Sequence, residues 1–516
     1  MSGQKYLAGI DIGTTGAKTI IFDPEGNAVG SGYVEYPCIY PRPTWVEQDA
    51  ELLIQSAFRS CRAALRESGV KPEDILAVGA STQRACALFV DREDKPLYLM
   101  SWQDSRTTDE VGEIRAKITD RNFYSITGMT NKPMWMVSKL LYVRNKRPEI
   151  WERTVKVIQV QDYLLKCLGA DGYYSDESEA ALTGLWDTDH WRWSREILDK
   201  LSIDEHMLSQ ILPSGTPVGR MSEKAASLSG LAAGTLLCTG MGDQNSASIG
   251  AGVVRPGMIS VSMGTGGETV AFLERPFRDP RGLTCVSNHG IHGAWQMEGL
   301  QNGSAGVFRW FRDRFCTSLI REAEESRRNV YDLMTREAAR APAGAGGLLV
   351  MPHLAAAAAP KWNTAARGVV LGATLAHEKH HFIRAFMEGI VLEQKDILQS
   401  FFNMGFSCSE IRIIGGPTKS DLWNQIQADV YGIPVESLRV KDAAVLGGAM
   451  AAAVGAGMYG GFREAAERMA RVDRRFEPRR ENRAVYEELY QIYLEAYRAL
   501  EASSVYRRIT DLQAAV

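Results

Sequence analysis

The sequence predicts an α/β protein made of two related halves. Residues 6 to 23, YLAGIDIGTTGAKTIIFD, read as a strand, a tight turn and a second strand, because an apolar, β-branched run is broken by Gly13-Thr14-Thr15-Gly16. The same pattern returns about 250 residues later at 261 to 272, VSMGTGGETVAF, where Ser262 stands for Asp11, Gly264 for Gly13, Thr265 for Thr14 and Gly267 for Gly16. Around both copies, strand-like and helix-like segments alternate, as they do in α/β domains whose strand ends carry the site residues.

Thr and Gly at a hairpin tip let backbone N–H groups and hydroxyls approach a ligand closely. A lone carboxylate such as Asp11 inside an apolar strand is costly unless a positive charge offsets it, and a phosphate-bound Mg²⁺ would do so. An ordinary edge hairpin with a polar tip explains the first turn by itself. The second copy shifts the balance, since two such turns facing each other across a cleft would grip a polyphosphate from both sides.

With 516 residues, the chain exceeds what one core usually serves, so two or more domains are expected. Hydrophobic residues make up 45% and charged residues 23%, which suits a globular protein, and a net charge of −3 gives no electrostatic reason to expect nucleic acid or an anionic membrane as partner. The eight cysteines are scattered without a CxxC pair, as reduced thiols of a cytoplasmic protein would be. MSGQKYLAGI lacks the parts of a signal peptide, and no run of about 20 apolar residues would span a membrane.

After the first hairpin, residues 28 to 36 read as a third strand. A helix follows from an Asp49 cap, with Leu52, Leu53, Ala57, Cys61 and Leu65 on one face, and ends near Gly69. Residues 75 to 80 and 87 to 91 are short strands around Ser81-Thr82-Gln83-Arg84, and 100 to 232 are mostly helical. The polar knot from Ser101 to Arg106 serves as a surface loop or as a sugar-contacting loop, because fork-shaped hydrogen-bonding groups beside Trp102 suit a polyhydroxylated ligand. Trp186, Trp191 and Trp193 are expected to pack a helix pair. Asp243, in GMGDQ after a short strand, reads either as a helix N-cap or as a general base that accepts a hydroxyl proton during phosphoryl transfer. Later come a strand at 411 to 414, the turn Gly415-Gly416, which is a candidate adenine or ribose seat, a helix at 421 to 431, a small-residue helix over 442 to 457, and a charged covering helix at 482 to 501.

This combination resembles the FGGY family of carbohydrate kinases, which includes xylulokinases, glycerol kinases and ribulokinases. The resemblance is carried, in family order, by GIDIGTTGAK (9 to 18), WVEQD (45 to 49), WQDSRT (102 to 107), GMGDQ (240 to 244), MGTGG (263 to 267), PKWNTAARGVVLGATL (360 to 375), GGPTKSDLWNQIQAD (415 to 429) and DAAVLGGA (442 to 449). It implies two actin-like ATPase domains of the ribonuclease-H-like type with an interdomain cleft. Residues 1 to 252 would bind sugar and supply the base, 253 to 460 would bind nucleotide, and 461 to 516 would be a helical extension packed on the second domain. It implies ATP and Mg²⁺, with Asp243 as base and Asp11 near the metal. Thr14, Thr15, Lys18, Gly264, Thr265, Gly266, Gly415, Gly416 and Ser420 would hold the nucleotide, and Gln83, Arg84, Asp104, Asp243 and Gln244 the sugar. The partner implied is a small sugar or polyol; besides that, only a second copy of the chain is expected.

Departures from the family bear on the substrate. In glycerol kinases the segment matching Gln83-Arg84-Ala85 reads Gln-Arg-Glu, with the Glu on glycerol, and a substrate Tyr stands where this chain has Met134 or Trp135. Xylulokinases usually read Met-His-Gly at the former place, so Arg84 replaces their His, and the 354 to 360 loop lacks the Gly-Glu-Arg common among them. Losing a hydrogen-bonding carboxylate changes selectivity strongly. Glycerol is therefore disfavoured and a ketopentose such as xylulose stands first, ahead of ribulose, a tetritol or a deoxy sugar. Against the whole reading stands a non-metabolic actin-like ATPase, which would hydrolyse ATP without stimulation by sugar.

Overall fold

The computed structural model describes residues 4–515. The chain forms two compact units that interleave along the sequence. The first takes Met1–Pro256, Phe272–Met297 and Asp442–Arg471, and the second takes Gly257–Ala271, Glu298–Lys441 and Val472–Val516.

In the first unit, Tyr6–Ile12 pairs antiparallel with Gly16–Phe22, with Asp11 opposite Lys18, and parallel with Ile75–Thr82, with Asp11 opposite Ser81. The sheet order is Pro217–Arg220, Leu236–Gly242, Ile75–Thr82, Tyr6–Ile12, Gly16–Phe22 and Ala28–Glu35. The central strands read as near-continuous apolar runs because both faces are covered. One cover is the helix Ala50–Ser68. The Asp49 carboxylate accepts from Leu52 N at its start, Gly69 closes it in the left-handed region at φ 64°, and Leu53, Ile54, Ala57 and Cys61 are buried against the sheet.

The helix Ala443–Gly455 reaches this sheet by a closer approach. A Cβ placed on Gly9 or on Gly79 would lie 2.1 Å from the carbonyl oxygen of Val445 or of Gly448, and one on Gly250 would lie 1.9 Å from that of Ala443. Backbone therefore meets backbone, and glycine is required on the sheet side while alanine and glycine line the helix.

The second unit repeats the scheme. Met258–Met263 pairs antiparallel with Gly267–Leu273, with Met263 opposite Gly267, and parallel with Glu410–Gly415, with Met263 opposite Gly415. Val435–Leu438 and Val472–Phe476 continue the sheet beyond Glu410–Gly415. Each half thus carries a glycine-threonine hairpin with a parallel strand on its outer side. The helix Lys379–Asn403 crosses the interior, where Arg384 donates to Glu388 and to the Tyr486 hydroxyl, and Gln301 donates to Glu393. The covering helix spans Arg480–Ala502.

The tryptophans depart from expectation. Trp186–Asp187 and Arg192–Trp193 form a two-stranded ribbon, not a helix pair, because Asp187 accepts from the amides of Asp189 and His190 and turns the chain. The Trp186 and Trp193 rings meet edge to face at 5.3 Å. None of the eight cysteines is joined in a disulfide. Among the described residues no helix is long and apolar enough to cross a membrane.

The glycine seat is open to a direct test. Gly79→Ala should cost about 2 kcal/mol or more through forced overpacking, read as a fall in melting temperature, with Gly112→Ala as a control. Gly112 lies exposed within the helix Thr108–Lys117, and a methyl group added there would meet nothing within 4 Å, so alanine should stabilise by roughly 0.5–1 kcal/mol.

Candidate active site

Parallel registry gathers the polar residues of the first unit. Tyr6–Ile12, Ile75–Thr82 and Leu236–Gly242 are adjacent and run the same way, with Thr82 opposite both Ile12 and Gly242. Asp11, Ser81 to Arg84 and Asp243 therefore leave the sheet at one edge, where parallel strands of α/β proteins place ligands. Ser81 Oγ donates to Asp11 Oδ1 at 2.6 Å. Arg84 Nε donates to Asp243 Oδ1 at 3.1 Å and its Nη1 to Asn245 Oδ1 at 3.1 Å. Gly242 makes room for this arrangement, since a Cβ there would lie 2.2 Å from Arg84 Cδ.

Asp243 is the first residue of the helix Asp243–Gly250, and Gly242 occupies the capping position. Its carboxylate thus does not cap the helix in the usual way. Oδ1 accepts from Gln244 N at 2.8 Å and from Arg84, and about a third of the side chain, 32%, reaches solvent. The result is an oriented, accessible carboxylate. Gln244 follows it half-buried.

The first hairpin turn has its carbonyls pinned. Gly13 O accepts from the Tyr36 hydroxyl at 2.6 Å, Thr14 O from Gln48 Nε2 at 2.8 Å, Thr15 O from Tyr36 N at 3.1 Å, and Gly16 O from Gly13 N at 3.0 Å. No carbonyl of Gly13 to Gly16 is left to repel an incoming anion. Trp102 Nε1 donates to Thr14 Oγ1 at 2.9 Å, which brings the polar knot to the same turn. Lys18, across the hairpin from Asp11, forms an ion pair with Asp442 at 2.5 Å.

Asp11 keeps some surface at solvent, yet the protein packed around it pushes its pKa up to about 7. Burial is the main cause, opposed by the Ser81 hydrogen bond, and the charges of Asp243 and Asp442 raise it further. Three carboxylates therefore share this edge with Lys18 and Arg84.

Gln83 and Asp104 turn inward. Gln83 is buried and donates to Gln48 Oε1 at 2.8 Å, so it supports the donor that holds Thr14. Asp104 is fully buried; Arg106 donates to both its oxygens, Val46 N donates to Oδ2, and the knot is locked from within.

Lys139 was not legible as a site residue. It is fully buried, and its Nζ donates to Ala85 O at 2.7 Å and to Met134 O at 2.6 Å, which ties the backbone at these two positions together. Burial lowers its pKa to about 8. Also unforeseen is the pair Glu177 Oε1 and His292 Nδ1 at 2.7 Å, beside the Trp191 ring 4.8 Å from the imidazole. The Lys139–Ala85 and Glu177–His292 contacts leave no local signal, because the partners lie 54 and 115 residues apart.

In the second unit, Gly264 N donates to Gly266 O at 2.8 Å, and Thr265 O accepts from Ser304 N and Gly306 N. Gly415 abuts this turn through Met263: its φ is 99°, and a Cβ there would lie 2.3 Å from Met263 O. Gly416 faces open space. Ser420 caps the helix Asp421–Tyr431 by accepting from Trp423 N, and its hydroxyl also meets that of Thr335.

Comparison with known proteins accounts for this geometry. The N-terminal domain of the FGGY family of carbohydrate kinases matches residues 6–250, and the C-terminal domain of the same family matches 259–456. The chain is 28% identical over 511 residues to a gluconokinase of Bacillus licheniformis, covering 98% of each chain. It is 32% identical over 493 residues to an autoinducer-2 kinase of Escherichia coli K12, covering 94% of this chain and 92% of that one. A ligand-bound xylulose kinase structure from Lactobacillus acidophilus superposes with a TM-score of 0.87 at 25% identity, covering 97% of this chain and 99% of that chain. Twin hairpins with parallel flanking strands, and matches that run nearly end to end, lead to one conclusion: the chain belongs to the FGGY family of carbohydrate kinases, phosphotransferases that act on an alcohol group.

Proposed function

We propose that this kinase transfers the γ-phosphoryl group of ATP to a hydroxyl of a small sugar or polyol, a ketopentose such as xylulose standing first. The observation that carries the reading is Asp243, a carboxylate aimed by Arg84 and by the first turn of its own helix yet reached by solvent over about a third of its side chain, 32%. Asp243 accepts the hydroxyl proton as the oxygen attacks phosphorus, and Arg84 and Gln244 hold the sugar beside it. Thr14, Thr15 and Lys18 take phosphate oxygens in the first unit, and Gly264, Thr265 and Gly266 do so in the second. Gly415, packed against Met263 O, and Gly416, whose missing side chain faces open space, seat the adenosine together with Ser420. Gln83 and Asp104 act on the sugar through the loops they brace.

The donor set also suits magnesium brought in with the nucleotide. Among the described residues no group of three or more side chains forms a ready-made metal cage, and Mg²⁺ commonly binds through one or two carboxylates plus substrate phosphates. Asp11 is such a carboxylate, burdened by two like charges. When bound, the ion would neutralise charge on the transferring phosphoryl group.

A second reading, a sugar acid as acceptor, is favoured by Arg84, whose guanidinium stands beside the proposed base and would pair with a substrate carboxylate. ADP release measured over ketopentoses, aldonates, tetritols, glycerol and autoinducer-2 separates the two, and release unaffected by any of them would point to a plain ATPase. Asp243→Asn should retain ADP binding by calorimetry while turnover falls by about 10² or more, and full turnover in that variant would remove Asp243 from its role.

Asp11 yields a prediction about stability. Its pKa is raised on folding, so the stability it contributes is present below about pH 4 and is lost as pH rises through about 7. Asp11→Asn should therefore abolish phosphoryl transfer yet gain stability relative to the parent. In EDTA, the gain in urea midpoint should be larger at pH 8 than at pH 5. An equal gain at both would mean that the carboxylate carries no such burden.

A further inference from the structure

Asp442 lies outside the residues assigned so far, and 424 positions separate it from Lys18, whose ammonium it meets at 2.5 Å. Its carboxylate has no duty to its own helix: it precedes Ala443–Gly455 but makes no side-chain capping hydrogen bond there. Nor can it drift, because the helix behind it is seated backbone to backbone on Gly9, Gly79 and Gly250. Ser246 Oγ adds a hydrogen bond to Ala444 O at 2.7 Å, within the helix's first turn.

Lys18 has a second carboxylate within reach. Directly paired residues of an antiparallel hairpin share a face of the sheet, so Asp11 and Lys18 stand side by side. An ammonium left to itself would fold onto that neighbour, since Asp11 is crowded by the charges of Asp243 and Asp442 and Lys18 is the cation that already eases this crowding. Yet Asp11 takes its hydrogen bond from Ser81, and the lysine is found on Asp442.

We propose that Asp442 is a positioning residue that draws Lys18 off Asp11, keeping the Asp11 carboxylate open to the metal-phosphate end of the nucleotide and holding the ammonium where it meets phosphate. The proposal rests on the nucleotide reading given above. It assigns a task to the DAAVLGGA segment beyond close packing: the segment brings a charge to the first hairpin from the far end of the chain.

The test compares binding of ADP with and without Mg²⁺ by calorimetry in the absence of sugar, so no turnover is involved. In Asp442→Asn, Lys18 collapses onto Asp11; MgADP binding should weaken about tenfold while metal-free ADP changes little. Asp442→Glu should stay near the parent. The deciding variant is the double mutant Asp442→Asn with Lys18→Met. With no lysine left to cover Asp11, it should regain the preference for MgADP that Asp442→Asn alone has lost.

If Asp442 only braced the helix, Asn would lower the melting temperature, weaken both forms of ADP alike, and the lysine change would restore nothing. That outcome overturns the proposal, as does an Asp442→Asn protein indistinguishable from the parent. Failure of the parent itself to bind MgADP would instead overturn the kinase reading, so the two failures are distinct.

Discussion

The contact on which the first unit depends is the meeting of one helix backbone with one sheet backbone. Gly9 and Gly79 sit on adjacent parallel strands, and each faces a carbonyl of Ala443–Gly455 at a distance that no side chain could share. A helix held this way has lost the freedom to slide, because each close approach fixes both rotation and translation. Small residues on the helix complete the fit, which explains why ten of its positions are buried although it is built largely from alanine and glycine. The position of Asp442, and through it of Lys18, follows from that seat.

Charge is the second constraint. Asp11, Asp243 and Asp442 converge near two cationic side chains, and the Asp11 carboxylate is pushed up to about 7 as burial and its like-charged neighbours act together. Folding is opposed by this crowding, whereas a metal-bearing polyphosphate would relieve it. Such local conflict is characteristic of sites prepared for a charged ligand, where stability is traded for preorganisation. The pinned carbonyls of Gly13 to Gly16 belong to the same preparation, since they remove the negative ends of four peptide dipoles from the approach of an anion.

Local signals in the sequence carried the hairpins, the Asp49-capped helix and the strand-to-helix position of Asp243. A glycine-threonine turn between β-branched runs has few conformations open to it, and its second copy made the two-half architecture readable. Contacts made by distant residues were not legible. Nothing near Lys18 points to Asp442, and a buried Lys139 looks like any helical lysine until Ala85 O and Met134 O are seen to accept its hydrogen bonds. The tryptophans show the other failure: their spacing suited a helix pair, but the Asp187 turn decided in favour of a ribbon.

Lys139 also explains why membership of this family says so little about the sugar. Its two hydrogen bonds end on backbone carbonyls, at Ala85 and Met134, so the scaffold around these positions does not depend on which side chains they carry. Ala85 adopts φ 59°, a strained conformation for a residue with a Cβ, and Gln159 holds it by accepting from its amide at 2.9 Å. A substitution at 85 can then exchange a carboxylate for a methyl group while the bend itself stays in place. If position 85 meets the acceptor, as the resemblance to glycerol kinases implies, a hydrogen-bonding group gained or lost there would change selectivity while the surrounding backbone stays as it is.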